Sequence, residues 1–239
     1  MHHLILEEWS RRSSPLHGLD ARAKLGGVVA FILAVSTSPP EAQFAFLAYA
    51  VLALAATLVS ALPVGAILSR AALVLFFSVP VALLTWWSTA EPWRALALTE
   101  KSFLSAFAVV VLAGTTPFSE IAAALEAFRV PAVLVMVIQF LYRYLFVLIE
   151  QARQMRLASL SRSGLRSAGN RKRHFHAAAG ALGVLFARSW QRAEGIHSAM
   201  LARGFRGHFP RHRPSRFRLR DAIFLCGCIA ASVVIRAVL

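Results

Sequence analysis

The chain has 239 residues, 58% of them hydrophobic and only 15% charged, and its 26 Lys and Arg against 11 Asp and Glu give a formal net charge of +15. Soluble domains carry about 25% charged and 45–50% apolar residues, so this composition, with a mean hydropathy of +0.62, excludes an ordinary water-soluble domain and calls for a lipid solvent. A basic, all-α integral membrane protein is expected.

In chain order, residues 1–24 form a polar segment in which Glu7, Glu8 and Asp20 stand among the bases. It lacks the short basic region and cleavage site of a secretory signal, so the first apolar run is expected to remain in the mature protein. Apolar runs follow at about Leu25 to Ser38, Ala42 to Leu62, Ala71 to Trp87, Ser102 to Thr115, Pro131 to Ile149 and Ala222 to Leu239. Most approach the roughly 17 to 25 residues that cross a bilayer core; the first and fourth are short and need flanking residues or tilt. The two cysteines, Cys226 and Cys228, stand two apart in the last run, where a helix points them to different sides and no bridge forms.

Charge sets the orientation, because Lys and Arg beside crossing segments stay on the cytoplasmic side. Between Glu150 and Arg220 there are sixteen bases, from Arg153 to Arg220, against Glu150 and Glu194 alone. That stretch is expected in the cytoplasm, as is the amino terminus with Arg11, Arg12, Arg22 and Lys24. Both assignments hold only if an even number of crossings separates them, yet five apolar runs intervene. Pro131 to Ile149 is the run expected not to span, since it holds Gln139 and the Tyr142-Arg143-Tyr144 cluster, and an arginine at the bilayer centre costs about 2.5–3.5 kcal/mol or more. Along the inner interface, Arg143 snorkels and its tyrosines lie at headgroup depth. The expected organisation is therefore a cytoplasmic segment 1–24, four transmembrane helices in 25–116, a helical cytoplasmic or interfacial domain in 117–220 and a last transmembrane helix in 221–239.

Within that domain Pro117 opens one helix with Glu120 in its first turn, and Pro131 opens another that runs without a breaker to Ser163, where Gly164 stops it. Gly164 to His176, with Arg166, Arg171, Lys172 and Arg173 among Ser, Gly and Asn, reads as a basic loop. The next helix starts near Ala177, carries an apolar stripe at Trp190, Ala193, Ile196, Met200 and Leu201, and ends at Gly204. Two tripeptides thus occupy matching helix ends: Ser161-Arg162-Ser163 and Ala202-Arg203-Gly204. Small neighbours leave each guanidinium unshielded at the negative end of a helix dipole, where its planar fork can take a partner carboxylate through two hydrogen bonds. The plainer alternative is that two arginines among sixteen satisfy helix carbonyls on a solvated face.

The paired small-Arg-small units, about forty residues apart in a basic domain, resemble those of the transmembrane (T) component of energy-coupling factor transporters. Ser14-Pro15-Leu16-His17-Gly18-Leu19-Asp20-Ala21-Arg22-Ala23-Lys24 before the first crossing and Met200-Leu201-Ala202-Arg203-Gly204-Phe205-Arg206-Gly207 resemble the CbiQ type in particular. The chain departs from that pattern at Ser161, where alanine is frequent, and at Ala21, where proline is frequent; both arginines remain. The resemblance implies a non-catalytic subunit of the bacterial cytoplasmic membrane that joins a substrate-binding, CbiM-like membrane subunit to two ATP-binding cassette ATPase subunits. It implies that Arg162 and Arg203 end coupling helices docked on the ATPases, and that the cargo is cobalt or nickel, with a vitamin as the alternative. No G-x-x-x-x-G-K-[ST] loop occurs, so ATP chemistry must come from a partner. The candidate surface for the substrate-binding subunit is the stripe around Val133, Val137, Phe140 and Leu141, with packing against the chain's own crossings as the alternative.

No metal site and no cofactor are expected in this chain. His174 and His176, and His208 and His212, lie among bases without nearby carboxylates or thiolates, which serves a cation poorly; His2 and His3 bind metal only incidentally. An integral membrane enzyme is a rival reading, but the acids are scattered, Glu120 and Glu126 are poorly aligned, and neither H-E-x-x-H nor G-x-S-x-G occurs. A nucleic-acid patch over Arg206 to Arg220, with Phe205, Phe209, Phe217, His208 and His212 interleaved, is a third. Attraction of juxtamembrane bases to anionic lipid, about 1 kcal/mol each, accounts for it more simply.

Overall fold

The computed structural model describes residues 9, 14–89, 91–163, 171–206 and 217–238, and every regular element among them is helical. They are α1 (Ala21–Thr37), α2 (Gln43–Val59), α3 (Val64–Ala71), a 3₁₀ turn (Ala72–Val74), α4 (Leu75–Thr89), α5 (Pro92–Thr115), α6 (Phe118–Ala127), α7 (Ala132–Ser163), α8 (Arg171–Ala202) and α9 (Leu219–Val238). The chain divides into two compact units, residues 1–128 with 213–239, and residues 129–212.

By length and composition three stretches are long and apolar enough to cross a membrane: Val64–Ser88, Pro92–Thr115 and Ala132–Arg162. The protein is a helical membrane protein. The fourth apolar run, short in the sequence, belongs to a 24-residue helix because Pro92 seeds α5 ten residues upstream of it. The third run likewise starts earlier, at Val64, through the 3₁₀ turn, and continues past Pro80.

In the first unit α1 runs beside α9, α5 and α6. Its start is fixed by side chains. Asp20 caps the helix by accepting from the Arg22 amide at 2.9 Å, and its own amide donates to Asp221 Oδ1 at 2.9 Å, while Asp221 Oδ2 accepts from the Arg218 amide at 2.8 Å at the start of α9. One buried carboxylate therefore clasps the first and last helices. The interface beyond it uses small residues: a Cβ added at Gly26 would meet Leu225 at 3.1 Å, and Gly27 faces Cys228. Both cysteines are free thiols.

Lys24, also buried, donates from Nζ to the His17 carbonyl at 3.3 Å and to the Thr115 carbonyl at 3.1 Å. The second bond joins the start of α1 to the end of α5. At the opposite end Lys101 in α5 donates to the carbonyls of Ser36, in the last turn of α1, and Ser38, its C-cap, at 2.9 and 2.7 Å. Between them Tyr49 is fully buried, its hydroxyl donating to the Ser232 carbonyl at 3.3 Å and its ring edge-on to Phe31 at 5.6 Å, in a core with Val35, Phe46, Ile67 and Phe107. The ammonium groups sit at the two ends, where backbone carbonyls left over by helix termini accept them.

In the second unit α7 and α8 each have 32 residues. Two expectations are corrected. The basic stretch from Gly164 to His176 is helical from Arg171 onward, since Arg and Lys are good helix formers and nothing after Asn170 breaks the helix. The apolar stripe of α8 is offset: Ile196 and Met200 are half-buried, but Trp190, Ala193 and Leu201 are exposed, and the half-buried face continues through Ala181, Leu185 and Ser189. His2, His3, Arg11, Arg12, Arg166, His208, His212 and most of the patch between Arg206 and Arg220 lie outside the described residues.

Candidate functional site

Each small-Arg-small unit sits on the terminus of a long helix. At the end of α7 the Ser161 hydroxyl bonds back to the Leu157 and Ala158 carbonyls at 3.0 and 3.1 Å, folding that side chain onto its own helix. Arg162 is exposed in the last turn; the Ser163 side chain lies outside the described residues. At the end of α8 the Gly204 amide donates to the Leu201 carbonyl at 2.9 Å and the Phe205 amide to the Met200 carbonyl at 3.0 Å, with Gly204 at φ +77°. This is the paired-bond termination that requires a left-handed residue after the helix. Ala202, Arg203 and Gly204 are exposed.

At the end of α8 backbone amides satisfy the Met200 and Leu201 carbonyls. Among the described residues no carboxylate partners Arg162 or Arg203. The described ion pair is Arg94 with Glu91, elsewhere in the chain. Each of the two guanidiniums ends a long helix between small residues, with no carboxylate on it among the described residues.

Their separation follows from topology. The helices meet at a polar groove lined by Phe146, Val147, Glu150, Gln151, Gln154, Arg188 and Arg192, near the middle of each, with Gln154 donating to Glu150 at 3.3 Å. From there Arg162 lies about 18 Å along α7 and Arg203 about 20 Å along α8 at 1.5 Å per residue. The seven residues between Ser163 and Arg171 span at most about 27 Å. That bound keeps the end of α7 close to the start of α8 and directs the far arm of α8 away. The two arginines are then on the order of 30 Å apart.

The residues expected to face a substrate-binding subunit divide. Val133, Val137 and Leu141 are 59%, 51% and 64% exposed and share one face of α7. Phe140, seven residues after Val133 and three after Val137, lies on the same side of α7, but it is half-buried and stacks on Tyr144 at 6.0 Å. Leu145 and Ile149 extend the exposed face at the same spacing of four, a signal present in the sequence that the shorter list missed. Among the described residues no group of three or more His, Cys, Asp or Glu converges to hold a metal ion.

Residues 12–215 match the CbiQ family, described as cobalt transport protein. Among curated proteins the chain is 29% identical over 149 residues to the cobalt transport protein CbiQ of Rhodobacter capsulatus, covering 62% of this chain and 59% of that one. It is 30% identical over 115 residues to the nickel permease LarQ of Lactiplantibacillus plantarum, covering 48% and 41%. It is 32% identical over 99 residues to an uncharacterized protein of Methanocaldococcus jannaschii, covering 41% and 36%. The chain thus matches between about a third and three fifths of the length of these relatives. With the family match running from before α1 to beyond α8, and both arginine tips inside it, the chain belongs to the CbiQ family of cobalt transport proteins.

Proposed function

We propose that this chain is the transmembrane coupling subunit of an energy-coupling factor importer for cobalt or nickel. It joins a substrate-binding membrane subunit to two ATP-binding cassette ATPases. Arg162 and Arg203 each dock into an acidic groove of one ATPase, and closure of the ATPase pair moves the two helix ends. The stiff helices carry that movement toward the exposed face of α7 at Val133, Val137 and Leu141, where the substrate-binding subunit sits. The observation that carries this reading is a pair of arginines at the ends of two 32-residue helices, neither with a carboxylate partner among the described residues; helix geometry puts them on the order of 30 Å apart. That spacing suits two sockets on two subunits rather than one. The names of the relatives favour cobalt or nickel as cargo over a vitamin.

The topology we propose has four crossings, in α1, α2, Val64–Ser88 and α5, then the coupling domain in the cytoplasm and a last crossing in α9. The Lys24–Thr115 bond supports it, since it brings the start of the first crossing and the end of the fourth to one side. The bond from Asp20 to Asp221 puts the start of α9 there too. If α7 crossed the bilayer, α8 would have to cross back, and α8 carries Arg188, Arg192 and Glu194 in its length. An interfacial α7 avoids that cost.

Charge reversal tests the coupling role. Arg162→Glu or Arg203→Glu should each weaken ATPase co-purification by more than about 100-fold, because losing one member of a buried pair costs about 3–5 kcal/mol. The double variant should abolish metal uptake while its melting temperature stays at the wild-type value. Normal uptake by the double variant would end this reading.

A further inference from the structure

A cavity of about 630 Å³ opens in the first unit between α1, α2, α5 and α9. Its walls are apolar for most of their length, with Phe31, Leu52, Phe107 and Phe224 among the larger side chains. Two cations, Lys24 and Arg220, stand at one end, and Ser232 lies at the other. The lining contains no carboxylate and no imidazole.

Two observations select the occupant. The first is charge. Lys24 gives two of its three N–H groups to the His17 and Thr115 carbonyls, which leaves one. Arg220 is exposed at the rim. The acids that act on Lys24, Glu120, Asp20 and Asp221, are not in the lining, so the charged groups that line the cavity are both cations. The second is length. Arg220 and Ser232 are twelve residues apart on α9, about 18 Å, close to one leaflet of a hydrocarbon core about 30 Å thick. The volume lies within the roughly 300–1,000 Å³ of small-molecule sites.

We propose that this cavity is a lipid site: it holds one acyl chain of an anionic phospholipid of the inner leaflet, with the phosphate bound at Lys24 and Arg220. Basic pockets between membrane helices on the cytoplasmic side take such headgroups. The occupied site fills the space that α1 and α9 share with α2 and α5, and makes the first unit's packing depend on the lipid composition of the membrane. It stands apart from the coupling reading, since it involves neither arginine tip.

The test is native mass spectrometry of the full-length chain in mild detergent, with added phosphatidylglycerol or phosphatidylcholine. One phosphatidylglycerol should be retained, at least tenfold more than phosphatidylcholine. Arg220→Gln, at an exposed position that leaves the fold intact, should lower phosphatidylglycerol retention about tenfold. Ala56→Phe, which fills the cavity from α2, should remove both lipids at an unchanged circular dichroism spectrum. Equal retention of the two lipids, unchanged retention by Arg220→Gln, displacement of the lipid by soluble glycerol phosphate, or cross-links from a cysteine at Ala55 to a partner's helix would each overturn the proposal.

Discussion

Lys24 shows how much a single buried side chain decides. An ammonium in apolar surroundings is costly unless its donors are used, and Lys24 uses two of them on carbonyls from separate parts of the chain, His17 and Thr115. Lys24→Met keeps the apolar stem and leaves both carbonyls without their partner. It should destabilise the detergent-solubilised protein by about 2–3 kcal/mol, read as a fall in melting temperature; no change would mean that water replaces the amine. Nothing in the sequence pointed to this role, because the partner carbonyl is ninety-one residues away and lysine before an apolar run reads first as an orientation signal. The helix stops beside Arg162 and Arg203 were legible for the opposite reason. Their chemistry is local: a cation, two small neighbours and a helix stop within three residues, and Gly204 takes the positive φ that its position in the sequence implies.

At the level of helices, boundaries were readable where a proline or glycine marks them and unreadable where only propensity does. Pro117, Pro131 and Gly204 bound helices in the structure as read, whereas the start of α8 at Arg171 is unmarked and was placed six residues late. The displaced stripe of α8 has a related cause. Two 32-residue helices that meet near their midpoints bury little of either, so most apolar side chains of α8 face outward and the pattern does not mark the packed face. If the helices transmit movement, the arms beyond the groove must be stiff. Inserting three glycines after Ser198, between the groove and Arg203, costs helix at about 1 kcal/mol per glycine and breaks that stiffness. ATPase binding should persist while uptake falls at least tenfold; full uptake would show that the arm does not act as a lever.

For the molecule as a whole, parity was the strongest inference that composition permitted. Charge required an even number of crossings before the basic domain, and the bonds of Lys24 and Asp20 join ends on one side in the way that argument needs. What the sequence hid was which helices are neighbours, because contact between α1 and α9 depends on residues some two hundred positions apart. Orientation is open to direct measurement. In a background carrying Cys226→Ser and Cys228→Ala, Glu41→Cys should react with an impermeant maleimide on intact cells, and Ser119→Cys only after permeabilisation. The reverse pattern would invert the topology and place the basic domain outside.

The clasp at Asp221 has a consequence for biosynthesis. During translation α1 emerges first, yet the glycine-lined groove on its flank fits side chains of α9, made some two hundred residues later. Until α9 is made, that groove faces lipid or a chaperone, so this part of the bundle closes late. A chain without α9 would keep both arginine tips and still present an open seam to quality-control proteases.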